Sequence, residues 1–236
     1  MSRVARVDKA PTFEGVYEPA EVARYLAVTL PGRQRPLTTR RVYRWVRSAL
    51  VAPEHRTTSG WLLTLGFQDL VTCQVITLLR EAGFSLHRVQ KAERFFEDLL
   101  QVSKPFAVAK FWHAVPDILT QVDGHWLAGT RGGQLAFDFL AEYTKPVLSQ
   151  LEFRDDTGRP FVWRPSEGIS LKPEIQFGQP CIEGTRIPTS AIWGFYNAGD
   201  SVQFIADSYR IKVAEVERAV RWERKLRANF EVAAAA

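Results

Sequence analysis

The chain is poor in the residues that build reactive centres. Its 236 residues include two cysteines, one methionine and four histidines. Cys73 and Cys181 are far apart and form neither a metal-ligand spacing nor a disulfide framework. His55, His87, His113 and His125 are scattered without the His/Glu spacing of a metal helix. His113 and His125 lie near Asp117 and Asp123, on predicted strand ends that need not converge. No glycine-rich phosphate loop and no nucleophile elbow is present. No catalytic residue, metal ligand or cofactor is therefore expected, and the chain reads as a non-enzyme. No apolar run approaches the roughly 20 residues of a membrane span. The opening Met-Ser-Arg-Val-Ala-Arg has no apolar segment behind its charges, so no secretory signal is expected and a reducing cytoplasm is the simplest home.

What is present is an ordinary globular composition, 46% hydrophobic and 24% charged, at a length suited to two or three small domains. The formal net charge is only +5, but it is unevenly spread. Residues 1–60 carry 11 Lys and Arg against 5 Asp and Glu, a net of +6; residues 61–164 carry 11 against 12, and residues 165–236 carry 9 against 9. Positive charge concentrated in the first quarter of a chain is the footprint of phosphate contact, although a solvated basic face would give the same count.

The local pattern in that quarter favours phosphate contact. Pro19 suits a first helical position, and Val22, Ala23, Leu26 and Leu30 follow at helical spacing. Pro31 to Pro36 breaks this helix. Thr38 and Thr39 then offer cap hydroxyls to a second helix reaching about Ala49, with Val42, Trp45, Val46 and Ala49 on one face. Arg40, Arg41, Tyr43, Arg44 and Arg47 fall on the others. An amphipathic helix needs an apolar stripe, not four arginines without an acidic partner. Like charges one turn apart cost a few tenths of a kcal/mol per pair, which a polyanion outside the helix would offset. Arginine's planar fork can grip a phosphate or a guanine edge. After it, Val51 to Leu63 reads as two short strands around a polar turn, Asp69 to Arg80 as a helix stopped at Gly83, and Ser85 as the cap of a longer helix ending near Val102.

In order and spacing, Leu50, Pro53, Arg56, Gly60, Phe67, Asp69, Leu70, Ile76, Leu79, Arg80, Gly83, Phe84, Ser85 and Leu86 resemble the MerR-type winged helix-turn-helix domain, over roughly residues 15–100. The resemblance implies that Thr38, Thr39, Arg40, Arg41, Tyr43, Arg44 and Arg47 meet bases and phosphates. It likewise implies that Arg56, Thr57 and Thr58 on the wing brace the backbone. The chain departs from that family after Val102, where Pro105 replaces a long dimerising coiled coil.

Phe106 to Trp112 and Ile118 to Leu127 carry strand signals. Leu151–Phe153 and Phe161–Trp163 flank a turn at Asp155–Gly158, and Gln134 to Lys145 reads as helical. From Ile175 the chain reads Ile-Gln-Phe-Gly-Gln-Pro-Cys-Ile-Glu-Gly-Thr-Arg-Ile-Pro, ending at Pro188. This run resembles the signature of the DUF433 family, a domain class of predicted antitoxins. A helix from Pro188 through Phe195, a second capped by Asp200 or Ser201, and a third after Arg210-Ile211-Lys212 would form a helix-turn-helix-like bundle.

The expected fold is thus α+β, mainly α. It comprises a MerR-like winged helix-turn-helix over residues 12–103, a small α+β connector over 104–168 and a DUF433-type antitoxin domain over 169–236. The family resemblance implies an antitoxin of the VapB type that neutralises a PIN-like nuclease and represses its own operon. Its partners would be double-stranded operator DNA, the toxin and a second copy of itself. Arg221, Arg224, Arg227 and Phe230 are candidates for toxin contact, since guanidinium groups pair well with carboxylates; a fraying helix end with an inert alanine tail is the alternative. A stand-alone MerR-like regulator responding to a small ligand remains open. So does the role of the last bundle, whose mixed charge suits protein contact or oligomerisation better than DNA. On the family resemblance, a chain ending at Arg210 would keep DNA binding in part and lose toxin neutralisation.

Overall fold

A computed structural model describes residues 15–29, 37–53, 63–81, 83–111, 147 and 149–234, with 229–234 by backbone alone. Four helices come first: α1 (Pro19–Thr29), α2 (Thr39–Arg47), α3 (Phe67–Glu81) and α4 (Leu86–Leu100). Short strands β1 (Leu151–Phe153), β2 (Pro160–Ser166), β3 (Ile169–Leu171) and β4 (Cys181–Ile182) follow, and then α5 (Thr189–Asn197), α6 (Val202–Tyr209) and α7 (Val213–Ala234). The fold is α+β and mainly α. Its strands form one antiparallel meander in the order β1-β2-β3-β4. The hairpin expected around Asp155–Gly158 joins β1 to β2, with Leu151 opposite Trp163.

Local chemistry explains the helix limits. The backbone N–H of Glu18 donates to the Glu21 carboxylate at 2.8 Å, opening α1. Thr38 and Ser85 cap α2 and α4 by accepting from the backbone N–H groups of Arg41 and Arg88. Ser201, rather than Asp200, caps α6 by accepting from Phe204 N–H. Gly83 and Gly199 take positive φ after α3 and α5, and Arg210 does the same after α6. The third helix of the chain is its axle. Residues 67–79 of α3 are all buried, including Asp69, whose carboxylate accepts from Gly66 N–H at 2.9 Å and pairs with Lys104 at 2.8 Å.

Three expectations are corrected. Ala49 was placed on the inward face of the second helix; it lies beyond Arg47 at φ 56° and is exposed, because the chain reverses there to bury Leu50 and Val51. Both of those N–H groups return to Trp45 O, so Val51 closes a helix rather than opening a wing strand. Beyond residues 54–62, Leu63 and Thr64 are irregular, and Leu65 bridges Tyr17. Phe106 to Phe111 is not a strand. Pro105–Ala107 is a 3-10 turn and 109–111 is helical, since Phe106 and Phe111 pack edge-on against Phe96 of α4, with Phe96 and Phe111 centroids 5.0 Å apart. The segments expected at Ile118–Leu127 and Gln134–Lys145, and the wing tip, lie outside the described residues.

One hydrophobic core crosses the sequence divisions. It runs from Tyr17, Val22 and Leu26 through Trp45, Leu70 and Ile76 to Trp163, Ile192, Val216 and Trp222. Helix α1 packs against α2, α3 and α7. The turn Gln176–Gly178 at the start of the signature segment also docks on the first described residues. Val16 N–H donates to Phe177 O and the Tyr17 hydroxyl to Gly178 O, each at 3.0 Å. A Cβ at Gly178 would lie 2.1 Å from the Tyr17 hydroxyl, so this close approach requires glycine.

Candidate nucleic-acid interface and partner face

Helix α2 divides sharply. Val42 and Trp45 are buried, at 0% and 1% exposure, while Arg40, Tyr43, Arg44 and Arg47 are exposed. Arg41 is half-buried. No acidic residue occupies its first turn and two arginines occupy its last. The geometry brings together seven of the ten candidate DNA-reading residues, Thr38 to Arg47, on one short helix. Thr38 is committed to its cap, accepting from Arg41 N–H at 3.4 Å, so its hydroxyl orients the helix rather than projecting from it. Arg56, Thr57 and Thr58 lie outside the described residues.

The far end of α2 is anchored. The Gln90 side-chain amide of α4 donates to Ser48 O at 2.9 Å, and the Ser48 hydroxyl donates to Trp45 O at 3.1 Å. The exposed row therefore stands on a helix fixed at both ends. Elsewhere on α4, burial and the neighbouring Glu97 push the Glu93 carboxyl up to about 8.

The second set of candidates sits differently. Arg221, Arg224 and Arg227 are all exposed on α7. The Arg224 guanidinium donates to the Tyr196 hydroxyl and lies 5.1 Å from the centre of that ring. Arg227 lies 4.9 Å from the Trp193 ring centre and 3.6 Å from the Glu223 carboxylate. Glu223 itself is 6% exposed and accepts from the Thr189 hydroxyl at 2.6 Å, tying α7 to α5. Farther up the helix Arg218 pairs with Glu167 at 2.6 Å. Phe230 is on the α7 backbone, and its side chain lies outside what is described.

Trp193 and Tyr196 were missed in the sequence. Their three-residue spacing on α5 matches that of Arg224 and Arg227 on α7, but the match signifies nothing until the two helices are paired. Burial raises both thiols, Cys73 strongly and Cys181 to about 11, so neither offers a reactive thiolate near neutrality. Among the described residues no group of His, Cys, Asp or Glu is arranged to hold a metal ion. Nor is any described helix long and apolar enough to cross a membrane.

The crystal structure of Rv2018 from Mycobacterium tuberculosis superposes with a TM-score of 0.71 at 19% identity, covering 86% of this chain and 96% of that one. The fold is shared. The candidate antitoxin VapB45 of Mycobacterium tuberculosis is 26% identical over 167 residues, which span 62% of this chain and 66% of that relative, just under two thirds of its length. Residues 169–222 match DUF433, described as a protein of unknown function. That stretch runs from β3 through the docked turn and α5–α6 to Trp222 of α7. Through these residues the chain is similar to the DUF433 family.

Proposed function

We propose that this protein is the antitoxin of a toxin–antitoxin pair, reading operator DNA with α2 and holding a nuclease toxin with its DUF433 end. The observation that carries the DNA half is the composition of α2's outer face: Arg40, Arg44 and Arg47 exposed over the buried Val42 and Trp45. Arg40 with Arg44 and Arg44 with Arg47 are like-charge pairs that cost the helix a few tenths of a kcal/mol each, and phosphates reverse that cost. Tyr43 and the arginines are the base-edge candidates, while Arg56, Thr57 and Thr58 would brace the backbone beside them. Two copies would read two half-sites, and a protein seated on its own promoter represses it.

The antitoxin half is supported by the DUF433 match and by the name of the Mycobacterium tuberculosis relative. The expected partner is a PIN-like nuclease with an acidic, metal-binding site. Exposed Arg221, with Arg224 and Arg227 held over aromatic rings, offers cations that need little reordering to meet carboxylates. Two measurements test the reading in one strain. The full chain is co-expressed with the product of the neighbouring reading frame and the complex weighed, and its affinity for the DNA upstream of its own gene is measured at physiological salt. The expected results are a defined complex that restores growth and binding at least about a thousandfold tighter than to shuffled DNA. A chain that neither joins its neighbour nor prefers its upstream DNA contradicts the reading. One that prefers the DNA but ignores the neighbour is a stand-alone regulator.

A further inference from the structure

The DUF433 segment does more than sit at the other end of the chain. Trp222 of α7 is 2% exposed and its ring lies against Tyr25 of α1, with centroids 6.5 Å apart and planes 29° from parallel. Tyr25 is itself 5% exposed, and its outer edge meets Tyr17 edge-on at 6.3 Å. Helix α1 also packs against α2, placing Val22 and Leu26 in the same core as Val42 and Trp45. The helix that positions α2 is therefore itself positioned from the DUF433 segment.

Two details fix the sense of that dependence. The residue next to Trp222, Glu223, is held by the buried Thr189 hydroxyl, so the place of Trp222 along α1 is set by the docking of α7 on α5. The indole N–H of Trp222, by contrast, is buried with no hydrogen-bond partner among the described residues. No directional bond holds the ring; its flat area against Tyr25 does. A buried donor left unpaired is unfavourable, so ring packing and not hydrogen bonding holds Trp222 in the α1–α7 seam.

We propose that Trp222 is a positioning residue for the DNA-reading helix, acting on α2 through the Tyr25 ring of α1. The proposal rests on α2 being the DNA reader, and it adds that DNA affinity is set partly from the DUF433 segment. Any protein that grips α5 and α7 then alters DNA affinity, and DNA alters its affinity in return by the same factor.

The test uses the full chain carrying Trp222→Ala, Trp222→Phe or Tyr25→Leu, with folded fraction followed by circular dichroism. Binding to the upstream DNA is read across a salt series, and amide exchange over Thr39–Arg47 is read without DNA. Trp222→Ala is expected to lose about tenfold in affinity with an unchanged salt slope, because no phosphate contact is removed, and to speed α2 exchange. Trp222→Phe keeps the flat ring and stays within about threefold of the parent on both readouts. A folded Trp222→Ala chain with parental affinity and parental α2 exchange overturns the proposal. If Trp222→Ala does not fold, Tyr25→Leu decides, since it removes the stack but keeps apolar volume; parental behaviour there overturns it equally. If the parent itself binds no DNA, the reading of α2 has failed, and α2 exchange alone then decides whether Trp222 positions the helix.

Discussion

Two helices of this protein carry rows of arginines, and the fold treats the rows in opposite ways. On α2, Arg40, Arg44 and Arg47 stand exposed on a helix with no acidic residue in its first turn, above a buried Val42 and Trp45. On α7, Arg218 meets Glu167, Arg224 stacks on Tyr196, and Arg227 stacks on Trp193 beside Glu223. The difference teaches that arginine content alone is a poor guide to what a helix binds. What matters is whether the planar face and the five donors of each guanidinium are already occupied by the fold. On α7 the fold already engages Arg218, Arg224 and Arg227, which stay at the surface beside exposed Arg221. Arg40, Arg44 and Arg47 of α2 are offered outward without such partners among the described residues.

The largest test of this contrast removes α7. A chain ending at Arg210 loses the buried Val216, Ala219, Val220, Trp222 and Leu226 and uncovers Tyr25. It is expected to lose cooperative thermal unfolding, followed by circular dichroism, and with it DNA binding. This reverses the expectation from sequence that such a chain would keep part of its DNA affinity. If the truncated chain melts sharply and binds DNA, the two rows sit on independent units and the comparison dissolves.

Next in size is Arg44→Ala, central on the exposed row. Operator affinity should fall by about 1–3 kcal/mol if Arg44 reads a base, or the salt slope by about one unit if it grips a phosphate, with thermal stability unchanged. An unaltered titration would remove Arg44 from the interface.

A pH series distinguishes α4, which is bonded to the end of α2, from α7. Glu93 of α4, the helix bonded to the end of α2 through Gln90, has its carboxyl pushed up to about 8 by burial, Glu97 adding to the effect. Its folded value lies above its unfolded one. The stabilisation is therefore complete below about pH 4.5 and is lost as pH rises through about 8. Glu93→Gln should flatten that decline in chemical denaturation, whereas a change on α7 such as Glu217→Gln should not. Equal pH profiles for parent and Glu93→Gln would show that the carboxyl is not buried in solution.

The smallest expected effect belongs to the α7 row itself. Arg224→Ala removes the contact with Tyr196 and is expected to lower stability by about 0.5–1 kcal/mol, the usual worth of a surface cation–π pair, without changing DNA affinity. A tenfold loss of DNA affinity from this change would mean that α7, too, touches nucleic acid.

How much of this was legible beforehand depends on the range of the interaction. Caps and stops are local, so Thr38, Ser85 and Gly83 announced their helices, the cap of α6 was narrowed to Asp200 or Ser201, and the exposed face of α2 followed from the spacing of Val42 and Trp45. The signature from Ile175 to Pro188 lies inside the stretch that matches DUF433. Ala49 misled because its apolar side chain fits the stripe, while a two-residue reversal that buries Leu50 and Val51 turns it outward. Phe106 and Phe111 misled because aromatic residues favour strands in general, yet here edge-on packing with Phe96 decided the local structure. The pairing of Tyr25 with Trp222 was beyond reach, since nothing local relates residues that far apart, and with it went the continuity of the core.

The contrast between the rows can be measured in a single experiment. Arginine-specific chemical modification of the full chain, with and without its upstream DNA and read by mass spectrometry, reports every guanidinium side by side. The account predicts that DNA shields Arg40, Arg44 and Arg47 and leaves Arg221 on the exposed face of α7 as reactive as before. Shielding of Arg221 with Arg40, Arg44 and Arg47 unchanged would contradict it.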